Sequence, residues 1–369
     1  RNIKMARFFY RDVFNQEHII NFKNGFFDVV DGELIPHSMD IISTIQLPFS
    51  YDPKAECPLF LKVVNESLEN DFEKIMILQE FFGYCLTSNT ERERALFIVG
   101  AACSGKSTVL EAIKATLGEE NCSCVRMDML TDCRFTGNLI DKYANIDTEI
   151  PQNMENYEDA LKKIISGESI TINTKFIPTY EAKPSCKLIF AANDLPRISD
   201  TSDAVFRRIL LLYFNNVVAK ENIDYELKAK IKANECPGIF NWAFEGLKRL
   251  RKNKEFTYSK TMVEQVEELK LQNNSVYFFI NENYEVTGDV NDLIIADEIY
   301  DEYKAFCGKV GAKGIFKSNI FAKEAKKCFV KKIEGTTKRI NGVPKRVWTG
   351  LRKQGTIDLS KGETIKWDE

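Results

Sequence analysis

The segment Phe97–Ile113 reads FIVGAACSGKSTVLEAI: an apolar run, a loop of small residues, then a Lys-Ser pair that opens an apolar-periodic stretch. Few local patterns restrict a fold as tightly. Gly100 to Ser107 fits G-x-x-x-x-G-K-[ST], and the flanks supply the strand before and the helix after that this pattern requires. The small residues Gly100, Ala101, Ala102, Cys103, Ser104 and Gly105 let backbone N–H groups wrap an anion, and the helix N-terminus adds the positive end of its dipole. Lys106 brings a charge to terminal phosphates, Ser107 a hydroxyl suited to Mg²⁺, and Thr108 continues the first turn. The expected ligand is ATP with Mg²⁺; the bland alternative is a tight strand-to-helix turn.

Composition narrows the setting. With 369 residues, 44% hydrophobic and 28% charged, the chain is long enough for two or three domains with buried cores. A net charge of −3 offers no global field to a polyanion, so any nucleic acid must be met by local basic patches. Ten cysteines without a C-x-x-C pair, and His18 and His37 as the only imidazoles, leave no ligand set spaced for zinc. No apolar run reaches bilayer length and no signal-like start precedes the fold, so the expectation is a cytoplasmic protein with no membrane partner. The chain opens on Arg1 rather than Met, which reads as a piece of a longer polypeptide.

Along the chain three regions separate. Residues 1–90 read as a mixed collar or linker domain, with a hairpin signature where Asn24-Gly25 and Asp31-Gly32 bracket FFDVV and a helical stripe through Phe72–Phe82. Residues 91–260 alternate short apolar runs (ALFIV, YANID, KLIFAAN, ILLLYF) with helices near Gly105–Leu117 and Tyr157–Ser166, the signature of an α/β domain with a sheet covered on both faces. Between Ser169 and Ala182 a period of two predicts a hairpin standing off that sheet, and helices are expected from Tyr225 to about Lys252. Residues 261–369 predict helices near Ile294–Phe306 and Asn319–Cys328 and strands near Lys331–Arg339 and Lys345–Trp348, a small winged-helix-like α+β unit. Between Lys304 and Lys353 the bases outnumber the acids several-fold. That basic surface is either a phosphate-binding face or a solvated one.

A triphosphatase also needs carboxylates at a strand end beside the loop, and Asp147 and Glu149 in YANIDTEIP supply them. One can order the metal or its water and the other can deprotonate the attacking water, with Glu149 preferred as the base. Asn193 ends the next apolar strand, where its amide can touch both the terminal phosphate and the lytic water. Arg207 and Arg208 have two readings: pairing with Asp200 and Asp203 within the subunit, or one of them reaching a neighbour's phosphate.

At these residues the chain resembles the superfamily 3 helicases, the hexameric AAA+ motors of viruses, phages and plasmids, and within them the primase-helicase group that includes the poxvirus primase-helicase. The carriers are FKNGFFDV, LPFSYDPKAECPLF, GAACSGKST, NIDTEI, GESITINTKF, KLIFAANDLP and DTSDAVFRRILLLYF, in family order. The resemblance implies a phosphate loop at Gly100, Gly105, Lys106 and Ser107, acids at Asp147 (metal) and Glu149, a sensor at Asn193, and a finger at Arg208 or Arg207 acting on the adjacent subunit's ATP. It further implies a channel hairpin gripping single-stranded DNA through Lys175, with Phe176 beside it and Lys183 as a secondary contact. A homohexamer, forked or single-stranded DNA as partner, and a primase or polymerase part N-terminal to this region follow from the same resemblance. Two departures stand out: Cys103 replaces the glycine or asparagine common in the loop, and the acids are spaced Asp-x-Glu rather than adjacent. The rival readings are a DNA-loading or packaging ATPase without unwinding, a nucleotide-switched DNA-binding ring, and a small-molecule kinase.

Overall fold

The apolar runs on either side of the phosphate-loop pattern become neighbouring strands of one parallel sheet. The computed structural model describes residues 18–150, 157–173, 178–194, 203–310, 315–329, 332–340 and 342–354. The chain divides into two compact units, one built mainly on residues up to Val266 and the other on Glu267 onward.

The first unit begins with an antiparallel meander, β1 (Ile19–Phe22), β2 (Gly25–Asp28) and β3 (Glu33–Ile35), with Phe22 opposite Gly25 across the Asn24-Gly25 turn. Helices α1 (Pro58–Ser67) and α2 (Phe72–Cys85) follow. Asp71 caps α2 by accepting from the Lys74 N–H at 3.2 Å. Then come β4 (Ala95–Val99), α3 (Lys106–Leu117), β5 (Cys122–Ser123), α4 (Cys133–Thr136), β6 (Ala144–Asp147), α5 (Glu158–Ile165), β7 (Ile170–Ile172), β8 (Tyr180–Ala182), β9 (Lys187–Ala192), α6 (Asp203–Phe206) and β10 (Ile209–Tyr213).

The α/β reading holds: five strands pair in parallel in the order β10-β4-β9-β6-β5. β4 is buried throughout, and β9 and β10 all but their last residues, as strands covered on both faces must be. Val99 lies opposite Ala192 on one side and Tyr213 on the other, and Asp147 lies opposite Phe190. The carboxyl ends of β4, β9 and β6 therefore sit side by side, at the edge where loops of a parallel sheet gather around ligands. β7 and β8 form the separate hairpin that the period of two predicts, running from Ile170 opposite Ala182 to Ile172 opposite Tyr180.

Beyond the sheet lie α7 (Leu227–Asn234), α8 (Cys236–Asn253) and α9 (Lys260–Asn273). The helices expected from Tyr225 to about Lys252 are α7 and α8, which part at Glu235, where Pro237 in the first turn of α8 lacks the N–H that a continuous helix would use. α8 carries the residues before the sheet on its flank. Phe22 and Phe27 pack edge-on against Phe240 at centroid distances of 4.7 and 5.5 Å. α2 and α8 approach through glycines: a Cβ on Gly83 would lie 2.5 Å from the Ala243 carbonyl oxygen, and one on Gly246 2.3 Å from that of Gln79. Beside this contact the fully buried Glu80 accepts from Arg249 Nε (2.6 Å), Thr257 N (2.7 Å) and Thr257 Oγ1 (2.7 Å), which satisfies a charge that burial alone would penalise. Glu235 accepts from the Leu59 and Phe60 N–H groups at 2.9 and 2.8 Å, capping α1 from far along the chain.

The second unit holds α10 (Ser275–Asn283), β11 (Tyr284–Val286), β12 (Leu293–Ile295), α11 (Ala296–Val310), α12 (Ser318–Cys328), β13 (Glu334–Ile340), β14 (Val343–Thr349) and β15 (Leu351–Lys353). Phe279, Tyr303, Phe321 and Trp348 form its core. The helix expected from Ile294 starts two residues later, because β-branched Ile294 and Ile295 pair with Trp348 and Val347 of β14. Past that pairing, β13 and β14 continue as a two-stranded ribbon to Ile340 opposite Val343 and carry Lys338, Arg339, Lys345 and Arg346. Among the described residues no helix is long and apolar enough to cross a membrane.

Candidate nucleotide site

The loop between β4 and α3 is shaped by close backbone approaches. A Cβ on Gly100 would lie 2.3 Å from the Phe214 carbonyl oxygen, and one on Gly105 2.1 Å from Ser67 Oγ. Gly105 also takes φ +91°, in the left-handed region that glycine tolerates and other residues resist. Cys103 occupies the same region at φ +63°, and its carbonyl accepts from the Val218 N–H at 3.0 Å. The departure noted at Cys103 is thus a strained residue pinned by the segment after β10. Ala101, Ala102, Cys103 and Ser107 are exposed, so the loop presents its outer edge to solvent. Ser104 Oγ is buried with no hydrogen-bond partner among the described residues.

Lys106 turns back across the loop. Its ammonium donates to the Gly100 carbonyl, to the Ala101 carbonyl at 2.8 Å and to Asn193 Oδ1 at 3.3 Å. Partial burial draws its pKa below the ordinary lysine value, with Cys103 acting in the opposite sense. The contact to Asn193 ties the end of β9 to the loop after β4, the juxtaposition that adjacent parallel strands make available.

The two acids are placed differently. Asp147 is buried, and its Oδ2 accepts from the Met127 N–H at 2.7 Å while its Oδ1 accepts from the Glu149 N–H at 3.0 Å. It shapes the turn that carries Glu149, and Glu149 itself is exposed. Asn145, two residues before Asp147 on β6, is fully buried and tied to Ser123 and Val125 at 2.7–2.9 Å, which anchors that strand to β5.

The paired arginines also part company. Arg208 is 8% exposed and donates to Glu93 Oε2 (2.6 Å), Ser166 Oγ (3.0 Å) and the Ala204 carbonyl (2.7 Å). Its carboxylate partner is Glu93, which the sequence reading did not single out; Asp200 lies outside the described residues, as does the side chain of Asp203. Arg207 is exposed. On the hairpin, Lys175 and Phe176 lie outside the described residues, while Lys183 is exposed just beyond β8. The hairpin base is fixed by Asn173, whose N–H donates to the Cys133 carbonyl at 2.9 Å.

One cation at the site escaped the sequence reading. Lys228, in the first turn of α7, donates from Nζ to Ser107 Oγ at 3.0 Å. It sits in LKAKIKAN, which reads as an ordinary solvated helix.

Oxygen donors suit Mg²⁺: the Ser107 hydroxyl and the Asp147 carboxylate, each of whose oxygens keeps a lone pair after its backbone bond. With the Ser104 hydroxyl buried and unpartnered among the described residues and the outer edge of the loop exposed, this donor set is chemically suited to a metal-bound triphosphate.

Residues 98–208 match a family of unknown function (DUF5906), and residues 10–69 match a family described as D5 N terminal like. A candidate helicase of Acanthamoeba polyphaga mimivirus is 23% identical over 246 residues, or 64% of this chain. The chain spans about a quarter of that relative's length. Among solved structures, the apo C-terminal region of NrS-1 in its A form is 17% identical, with a TM-score of 0.55 over 85% of this chain and 82% of that one. A second apo structure of the same region gives 17% identity and a TM-score of 0.52 over 82% and 79%. These likenesses carry the fold.

Proposed function

We propose, for a chain similar to the phage and viral primase-helicase group, that it is an ATP-driven translocase on single-stranded DNA, the helicase part of a replication protein. The observation that carries this reading is the meeting of three strand ends: Lys106 after β4 bonds Asn193 after β9, with Asp147 and Glu149 ending β6 alongside. The strand order, with the loop strand flanked by β9 and β10, supports an AAA+ core of the superfamily 3 kind. The helix and strand order of the second unit, ending in a basic ribbon, supports a winged-helix arrangement. A homohexamer, and a primase or polymerase part outside this region, belong to the same proposal.

Lys106 and the loop N–H groups would bind the phosphates, and Ser107 and Asp147 are the residues that would hold the metal. Bound Mg²⁺ would neutralise charge that develops on the transferring phosphoryl group. Asp147 holds the backbone of Glu149 through the Glu149 N–H, and so aims an exposed carboxylate that can take the proton of the attacking water. Asn193, already within reach of Lys106, orients that water and reads whether the terminal phosphate is present. Arg207 is the finger in this reading, because its guanidinium reaches solvent while that of Arg208 is held inside the fold.

A forked-duplex assay with tails of each polarity, run beside ATP turnover and sizing with and without ATP, tests the function. Unwinding from one polarity is expected. ATP turnover without unwinding on either fork would move the chain to the loading or packaging reading. The hairpin makes a sharper test: Lys175→Ala should reduce strand displacement at least tenfold while basal hydrolysis stays within twofold. Such a lysine tracks the phosphate backbone and plays no part in chemistry. Equal loss of both activities would remove the hairpin from the DNA path.

A further inference from the structure

The lysines of α7 differ in one respect. Lys230 pairs with Asp224 and Glu226 at 3.1 and 3.2 Å, and Lys232 pairs with Glu111 and Glu119 at 3.4 and 3.1 Å. Lys228 has no carboxylate partner among the described residues; its ammonium donates to the neutral Ser107 hydroxyl. The two bonds from Lys232 reach α3 and the turn just after it, so α7 is strapped against the phosphate-loop helix. A full positive charge without a counter-ion is thereby held at the mouth of a loop built for an anion.

We propose that Lys228, whose ammonium donates to Ser107 Oγ, is a phosphate ligand of the nucleotide site. The proposal rests on the reading of Gly100–Ser107 as a nucleotide loop. An ammonium donating to the Ser107 oxygen and a divalent cation bound to that oxygen repel one another at a separation of a few ångströms. A metal held on Ser107 would therefore move the Lys228 ammonium off that oxygen. The phosphate chain of a bound nucleotide would then offer an ionised acceptor to a flexible four-carbon stem with three rotatable donors. Lys228 thus exchanges a neutral acceptor for an ionised one, which adds charge–charge attraction to a bond whose donor is already ionised.

The test is binding of a fluorescent non-hydrolysable ATP analogue, in Mg²⁺, to the wild-type chain and to Lys228→Met and Lys228→Arg. Lys228 is exposed, so both variants should melt within about 2 °C of wild type, as surface changes do. Lys228→Met should weaken binding tenfold or more, and Lys228→Arg should restore it to within threefold. A Met variant within twofold of wild type, or an Arg variant as weak as the Met variant, overturns the assignment while leaving the nucleotide loop intact. A wild-type chain that binds no analogue overturns the loop reading and this inference together.

Discussion

Lys106→Ala is expected to lower ATP turnover by about 10²-fold or more, the usual cost of removing one preorganised charge from a phosphoryl-transfer site. The structure explains why the loss should be confined to function. Lys106 is only partly buried, and its ammonium contacts are the Gly100 and Ala101 carbonyls and the Asn193 amide oxygen, all at the site itself. Two of these three contacts, those to Ala101 and Asn193, are exposed and leave acceptors that water can reach, so the melting temperature should move by no more than a few degrees. Steady-state turnover with thermal denaturation beside it separates the outcomes. Wild-type turnover in the variant would end the phosphate-loop reading, and with it the motor.

The paired arginines should give opposite phenotypes despite adjoining in sequence. Arg207→Ala should lower turnover by roughly 10³-fold, the lower end of what an arginine finger contributes, and leave the fold unchanged. Mixed with the Lys106→Ala chain, it should recover part of that activity, because some interfaces then pair an intact loop with an intact finger. Arg208→Ala should instead destabilise. It leaves Glu93 without its cation and Ser166 and the Ala204 carbonyl without a donor, at a cost of about 2–4 kcal/mol. That figure sits below the full cost for a buried pair, because the Glu93 side chain is 39% exposed. Turnover of the Arg208 variant should track its folded fraction. No recovery of the Arg207 variant at any mixing ratio, with Arg208→Ala stable but inactive, would reverse the two roles.

The loop was legible because its signature is contiguous in sequence, although the atoms that press on Gly100, Gly105 and Cys103 belong to the distant Phe214, Ser67 and Val218. Gly100 and Gly105 stand where backbone or a neighbouring side chain excludes a Cβ, and strand and helix flanks occupy consecutive residues. The hairpin was legible for a similar reason, since its period of two breaks sharply from the buried runs around it. The Glu93–Arg208 pair was not, because it joins residues brought together only when β10 docks beside β4. Lys228 was hidden by its own segment: alternating lysines on a short helix look solvated, and nothing local marks the one that lacks an acid. The edge strand Cys122–Ser123 is two residues long, too short to show any period, and exists through its pairing with Ala144 and Asn145.

The glycines between α2 and α8 bear on how sequence change would be tolerated. At Gly83 and Gly246 the space a side chain would need is held by main-chain atoms of the facing helix, 2.5 and 2.3 Å from an added Cβ, and at Gly238 of α8 by the Glu56 main chain ahead of α1, at 2.2 Å. Main chain cannot swing aside as a long side chain can. In a saturation scan scored by growth, the intolerant positions should therefore form two islands, one around the phosphate loop and one at this seam. The second would show lost protein abundance rather than lost turnover, and so could pass for a catalytic centre when only survival is counted.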